Sequence, residues 1–178
     1  KKLYKRPHSN RQVENTVKMV NGYRDKIKAC YDIILDSPWD TNEDLIETLM
    51  FLSKLPTPFQ LTLFSLVFFP ETEIYRKAKK EGLIEDDLND IYRKHYQAPK
   101  KTFLNEVFFL LNEYVVIGIG ISPIIMFLLT HKRTRQLHLH WHLFKVIKLL
   151  YPFFRSIGRI TRKSARLYRL GKFIKFNG

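Results

Sequence analysis

Two apolar segments, each followed by a proline and then by a helix start signal, constrain the fold more than any other feature of this chain. They cover residues 30–35 (CYDIIL) and 59–69 (FQLTLFSLVFF), and Pro38 and Pro70 follow them. Proline has no backbone N–H to donate to a strand ladder, so each proline predicts the end of a strand. We therefore predict two short buried strands that begin at Cys30 and Phe59.

Helices are predicted before, between and after these strands, over about residues 9–28, 42–55 and 72–81. Apolar residues recur there at helical spacing, and Ser or Thr stands at each expected start. Strands and helices that alternate with short connections favour a parallel sheet built from right-handed βαβ units. Two parallel strands leave open edges and an uncovered face, so we expect the front half to be a fragment of a larger sheet.

Three segments in this front half resemble the radical S-adenosylmethionine enzymes. Residues 31–52 (YDIILDSPWDT, then NEDLIETLMFL) are similar to the fifth strand and helix of that family, which read G-x-P-x-E-T and T-L-x-F-L. Residues 69–84, with FPETEIY and GLI, are similar to the sixth strand and its P-G-T-x-L-Y motif. Residues 5–9 (KRPHS) resemble the end of the fourth strand. The three segments follow the order of the family and cover roughly residues 3–98.

The resemblance implies an α/β fold: a partial (β/α) TIM-type barrel over residues 1–98, with ligands held at the carboxyl ends of the strands. The implied cofactors are S-adenosylmethionine and a 4Fe-4S cluster, and the implied chemistry is reductive cleavage to a 5′-deoxyadenosyl radical. The most similar subgroup carries a cobalamin-binding domain upstream. The residues placed at the cofactor site are Arg6, Asp36, Pro38, Asp40 and Phe68.

The cluster motif C-x-x-x-C-x-x-C is missing, and Cys30 is the one cysteine of the chain. Three thiolates are needed to hold such a cluster. We therefore predict that the chain is inactive alone and that its partner is an N-terminal part of the same polypeptide. Asp36 and Glu71 stand where the family has glycines, which alters the implied pocket. Cys30 itself is expected to be an inert core thiol in a cytoplasmic protein.

Each candidate residue also has a structural alternative. Arg6 can be an ordinary solvated arginine. Asp40 can cap the following helix instead of binding ribose hydroxyls or orienting a substrate with Asp36. Of Phe68 and Phe69, which could both line an adenine site, at least one is expected in the core.

The histidines at 131, 138, 140 and 142 raise the question of a metal site. On a helix, residues two apart diverge, and no carboxylate follows to complete a ligand set. We predict a surface or interfacial cluster with no metal.

Charge divides the chain. Residues 1–113 carry 18 Lys and Arg against 17 Asp and Glu, whereas residues 114–178 carry 13 Lys and Arg and no acidic residue. We predict a domain boundary at 98/99 and a basic, aromatic-rich helical extension over residues 99–178. The uncharged run 114–130 is too short for a spanning helix, and its Gly and Pro residues predict a turn between two helices.

Residues 143–176 have the pattern of a basic amphipathic helix. Arginines at 155, 159, 162, 166 and 169 share one face, and apolar residues lie elsewhere. This composition is typical of a helix on an anionic membrane surface. Nucleic acid is the less favoured partner, since no groove-reading motif is present. A non-enzymatic, peripheral membrane-binding or nucleic-acid-binding protein is therefore the alternative function. A third interpretation is that the apolar face packs on the barrel and the arginines face water.

Overall fold

The computed structural model describes residues 7–176 of the chain, with side chains for residues 7–157. Most of the described residues are helical, and two short strands lie in the front half. The elements, in chain order, are α1 (Asn10–Asn21), β1 (Cys30–Leu35), α2 (Asn42–Ser53), β2 (Gln60–Ser65), α3 (Glu73–Lys80), a π-helical turn (Leu88–Tyr92), α4 (Phe103–Val116), α5 (Pro123–Thr130), α6 (Lys132–Gln136) and α7 (Leu139–Phe176).

Hydroxyl side chains define the starts of the front helices. Ser9 and Thr41 each accept a hydrogen bond from the third backbone N–H of their helix, and the residue at that position bonds back in a complete capping box. Thr72 and Thr102 cap α3 and α4 through their side chains. Such caps satisfy donors that the first helical turn leaves without partners. The helix starts predicted from the sequence are confirmed, and α1 ends at the Asn21-Gly22 pair, a dipeptide that signals a break in a helix.

The two strands form one parallel βαβ unit. They pair in register from Cys30 opposite Gln60 to Leu35 opposite Ser65, and α2 connects them. Parallel strands require such a crossover, because a tight turn can only join antiparallel neighbours. The predicted parallel pairing of the two apolar segments is therefore confirmed.

The prediction of a partial (β/α) barrel was wrong. The described residues form a two-stranded sheet in an α-rich fold, not a curved series of strands. The outer edge of β2 is closed: the Leu61 N–H donates to Asn112 Oδ1 (2.7 Å) and the Ser65 N–H donates to the Tyr96 carbonyl (2.6 Å). Two of the three outward N–H groups of β2 are thus satisfied by α4 and a loop, which leaves little of a ladder for a next strand.

The main hydrophobic core takes side chains from both sides of the predicted boundary at 98/99. Leu35, Leu49 and Leu63 pack in one cluster with Phe108 of α4 and Phe144 of α7. The Tyr114 hydroxyl of α4 donates to the Ile147 carbonyl of α7 (2.6 Å), and both residues are buried. The first part of α7 thus belongs to the core, as the third interpretation of the tail expects. The division into two domains stays a prediction.

The uncharged run 114–130 bends between α4 and α5, as predicted. Gly118 has a φ of 83°, a left-handed conformation that glycine adopts without a Cβ penalty. Its carbonyl accepts a hydrogen bond from the Thr57 hydroxyl (2.9 Å), which fixes the bend beside the start of β2. Across residues 7–176, we find no helix that combines the length and the apolar character needed to cross a bilayer.

Substitution of Asn112 tests whether the closed edge of β2 stabilises the fold. We expect Asn112→Leu to lower the free energy of unfolding by about 1–3 kcal/mol, because the partly buried Leu61 N–H loses its acceptor. Urea denaturation measures this difference. The same substitution at exposed Asn10 is the control and should change stability by less than about 0.5 kcal/mol. Equal stability of Asn112→Leu and the native chain would contradict this account of the sheet edge.

Candidate functional site

The carboxyl end of β1 opens into a polar cavity of about 280 Å³. Side chains from four parts of the chain meet there, since the loop after β1 lies against the starts of α2 and α4 and the middle of α6. The polar residues that line the cavity are Asp36, Ser37, Asp40, Asn42, Thr102, Asn105 and Arg135.

Asp36 connects the end of β1 to the start of α4. Its carboxylate accepts hydrogen bonds from Asn105 Nδ2 (2.8 Å) and from the Lys100 N–H (2.9 Å). Asn105 is 1% exposed and also donates to the Lys100 carbonyl (2.9 Å). Asp36 has a φ of 61°, a left-handed conformation that Asp tolerates better than most residues. The carboxylate is therefore engaged in positioning α4.

Ser37 and Asp40 give the cavity its remaining acid and hydroxyl groups. The Ser37 hydroxyl is buried and meets no hydrogen-bond partner in good geometry within the described part of the chain. Although Asp40 as a residue is exposed, partial burial of its carboxyl raises the pKa of that group. The nearby Ser37 hydroxyl offsets part of this rise. Because Arg135 lines the cavity together with Asp36 and Asp40, the charges of the cavity favour neither an anionic nor a cationic ligand.

The structure separates the residues that the sequence placed at one cofactor site. Pro38 is exposed in the turn after β1. Phe68 is buried in a second, smaller cluster, where it packs edge-on against Trp39 with ring centroids 5.8 Å apart. Phe69 is 69% exposed. Arg6 lies outside the described residues. Of the predicted set, Asp36 and Asp40 reach the cavity, and the expectation that at least one phenylalanine is buried holds for Phe68.

Two structural roles expected for single residues are corrected. The cap of α2 is Thr41, whose hydroxyl accepts from the Asp44 N–H (3.2 Å), and not Asp40. Cys30 is exposed on the uncovered face of the sheet, with its sulfur 3.0 Å from the Thr62 hydroxyl, and is not a core thiol. The burial of Cys30 was inferred from its apolar neighbours, but it alternates with them and points away from the core.

Sequence reasoning missed Asn105 and Arg135. Asn105 is a fully buried amide among the mostly apolar residues on the inner face of α4, and such a polar residue is a usable signal. Arg135 belongs to a short helix whose sequence, KRTRQ, has no apolar pattern to place it. The tertiary fold places Arg135 at the cavity, and no local sequence pattern indicates this position.

The histidines have separate structural roles. His140 is 6% exposed and packs edge-on against Phe103, with ring centroids 4.6 Å apart. His131 accepts a hydrogen bond from the Arg133 N–H at the start of α6. Among the side chains described, no group of three or more His, Cys, Asp or Glu residues is arranged to hold a metal ion.

A second candidate site is the outward side of α7. Its inner side, which includes Phe144 and Ile147, packs into the core. Along the outer side, large apolar side chains recur at steps of three and four, and Leu149 is 80% exposed. We call this row the α7 stripe: Val146, Leu149, Leu150, Phe153 and Ile157.

Basic side chains are exposed on the same part of α7. By helical spacing Lys145 lies beside the α7 stripe, whereas Lys148 and Arg155 project from the other side of the helix, and Lys148 Nζ lies 5.8 Å from the centre of the Phe144 ring. Lys145, Lys148 and Arg155 are exposed, and no acidic residue occurs between residues 114 and 178. Helix α5, which packs against α7, exposes Ile124 and Phe127 as well. The arginines predicted to share one face between residues 159 and 169 lie outside the residues whose side chains are described.

The chain matches no protein-family model, and comparisons with curated proteins and with solved structures found no similar protein. Functional inference therefore rests on the two sites just described and on the sequence.

Substitution of Asp36 tests its role at the cavity. We expect Asp36→Ala to lower the free energy of unfolding by about 2–4 kcal/mol, because two hydrogen bonds are lost and Ala is strained at positive φ. Asp36→Asn keeps one acceptor and tolerates that φ, so it should lower the free energy of unfolding by about half as much. Chemical denaturation compares the three proteins. A fully stable Asp36→Ala variant would mean that the carboxylate does not hold α4 in place.

Proposed function

We propose that this protein binds peripherally to anionic membrane surfaces through the α7 stripe and the basic side chains of the same helix. The observation that carries the proposal is a row of exposed large apolar side chains on a helix that also exposes Lys145, Lys148 and Arg155, in a part of the sequence without acidic residues. Apolar contact with acyl chains and attraction to anionic headgroups are the two contributions that hold an interfacial helix.

Helix α7 cannot rotate to bury the α7 stripe in the core. The opposite side of α7 is held in the core by Phe144 and Ile147 and by the hydrogen bond from Tyr114 to the Ile147 carbonyl. Exposed apolar residues on soluble proteins are usually scattered, whereas a continuous apolar row rimmed by charge marks an interaction surface. The fold therefore presents the α7 stripe to whatever lies outside.

The expected strength of binding follows from both contributions. Each basic residue near an anionic bilayer contributes on the order of 1 kcal/mol. Three such residues give about 3 kcal/mol, which is roughly a hundredfold in partitioning. Phe153 and Leu149 add apolar burial when α7 lies in the plane of the interface. The electrostatic part falls as salt screens the charges.

A lipid surface fits the stripe better than nucleic acid does. Nucleic acid is bound mainly by cations that contact phosphates, often with aromatic rings that stack on bases. The outer side of α7 instead presents the α7 stripe, a row of five exposed apolar side chains of which one, Phe153, is aromatic. Binding to nucleic acid is the alternative outcome that competition with double-stranded DNA detects.

The relationship to radical S-adenosylmethionine enzymes is a second proposal, and one observation supports it. Asp36 and Glu71 occupy the two positions where the resemblance places glycine, and both have left-handed φ angles, of 61° and 68°. Glycine is the residue that adopts such angles without strain. Positive φ thus coincides with both glycine positions of the motifs, although the barrel is not formed by the described residues. Cofactor binding and the need for an N-terminal part of the polypeptide stay predictions.

Vesicle co-sedimentation tests the membrane proposal. We expect the chain to pellet with vesicles that contain phosphatidylserine at low salt, and much less with phosphatidylcholine alone. Phe153→Asp should reduce the bound fraction at least tenfold, because it places a charge in the centre of the apolar stripe. The matched control is Phe69→Asp, the same change at a similarly exposed phenylalanine far from α7 in the sequence, which should bind normally.

Charge reversal provides a second comparison. The double variant with Lys145→Glu and Lys148→Glu should lose binding, whereas Lys26→Glu with Lys28→Glu, which makes the same change in net charge, should lose much less. Equal binding of all variants, or no pelleting of the native chain at low salt, would refute the proposal. Competition by double-stranded DNA that depends on Lys145 but not on Phe153 would favour nucleic acid instead.

Incubation of the chain with ferrous iron and sulfide under anaerobic conditions tests the prediction that it is inactive alone. We expect no stable absorbance of a four-iron cluster, since the chain supplies one thiolate where three are needed. A Cys30→Ser variant is the control for iron bound nonspecifically. A stable cluster spectrum that depends on Cys30 would overturn the prediction.

A further inference from the structure

A groove of about 1070 Å³ runs along the open edge of β1. All six residues of the strand line it, together with residues of α1 and α2. It differs from the edge of β2, where the outward N–H groups of Leu61 and Ser65 donate to Asn112 and to the Tyr96 carbonyl. Within the described part of the chain, β1 pairs with β2 alone. The groove is thus a place where a sheet ends without being covered.

No described residue pairs with the backbone at this edge of β1. The Gln60 N–H donates to the Ala29 carbonyl (2.9 Å), and the Leu66 N–H donates to the Leu35 carbonyl (2.8 Å). These bonds show that the odd-numbered residues of β1 direct their backbone groups at β2. Since the direction alternates along a strand, the N–H and C=O groups of Cys30, Asp32 and Ile34 face the groove. Three consecutive donor–acceptor pairs at one edge are a template for another extended segment.

The walls of the groove are apolar. Val13 of α1 and Leu45 and Phe51 of α2 line it beside the half-buried side chains of Tyr31 and Ile33. A strand that adds to a sheet edge directs alternate side chains to the same face, so it gains affinity when apolar residues recur at every second position.

The charge of the groove is entirely acidic. Asp32, Asp40, Asp44 and Glu47 line it, and no Lys or Arg is among its lining residues. This is notable in a chain with a net charge of +14. Opposite charges at an interface favour the encounter, and like charges oppose it. A second copy of this chain would bring the same four carboxylates to the interface, so self-pairing through β1 is disfavoured.

We infer that the open edge of β1 is a docking site for an extended segment of another polypeptide, with apolar residues at alternate positions and Lys or Arg between them. The segment adds a third strand: its backbone pairs with Cys30, Asp32 and Ile34, its apolar side chains contact the walls, and its cations face the carboxylates. This inference does not depend on the membrane proposal, because the groove and the α7 stripe share no residue.

A fluorescent heptapeptide of alternating lysine and valine serves as the probe, and anisotropy reports its binding to the full chain. We expect saturable binding that weakens at high salt. The same peptide with N-methyl groups on alternate backbone nitrogens should bind at least tenfold more weakly, because its strand edge can no longer pair. A glutamate–valine peptide should not bind. Equal binding of the methylated peptide would overturn strand addition, and equal binding of the acidic peptide would overturn the assigned charge.

Two variants on one helix locate the site. Glu47→Lys should weaken the lysine–valine peptide at least fivefold, whereas Glu43→Lys, which makes the same charge change on α2 outside the groove lining, should leave affinity unchanged. Amide hydrogen exchange gives a readout that does not depend on the variants. The peptide should slow exchange at Asp32 and Ile34 of the native chain. Unchanged exchange at both amides with saturating peptide would place binding elsewhere and refute the inference.

Discussion

Helix α4 determines the arrangement of the molecule through three polar side chains on an otherwise apolar surface. Asn105 holds the loop after β1 through Asp36, Asn112 accepts from the backbone of β2, and Tyr114 donates to the backbone of α7. Apolar burial provides most of the driving force for packing but is not directional. The three hydrogen bonds supply direction, because each is satisfied in one relative placement of α4 and its neighbour.

This arrangement explains which parts of the fold could be predicted. Helix starts depend on a hydroxyl residue and its next few neighbours, and the sequence placed those of Thr41 and Thr72 correctly. The length of β2 depended on partners far away in the chain. The apolar run continues to Phe69, but the ladder ends where Leu66 donates to Leu35. The barrel prediction failed for a similar reason, since one amide of Asn112, 51 residues from Leu61, closes the sheet edge.

The cavity at the end of β1 was predicted only in part for the same reason. Asp36 and Asp40 follow the strand directly, and the rule that loops after parallel strands collect polar residues identified them. The partner of Asp36 is 69 residues away, and Arg135 is farther still. No local pattern encodes such pairs. The left-handed φ angles of Asp36 and Glu71 were not predicted, because both residues are acids and not glycines.

Helix α7 is buried along its inner side and exposed along the α7 stripe, and this has a mechanical consequence. A helix attached by a flexible linker lets the rest of a protein tumble freely above a surface, whereas α7 is fixed to the body along its inner side by Phe144, Ile147 and Tyr151. A flat surface that contacts Leu149 and Phe153 therefore also sets the tilt of the whole protein. The open edge of β1 would then be held at a constant height above that surface and at a constant angle to it.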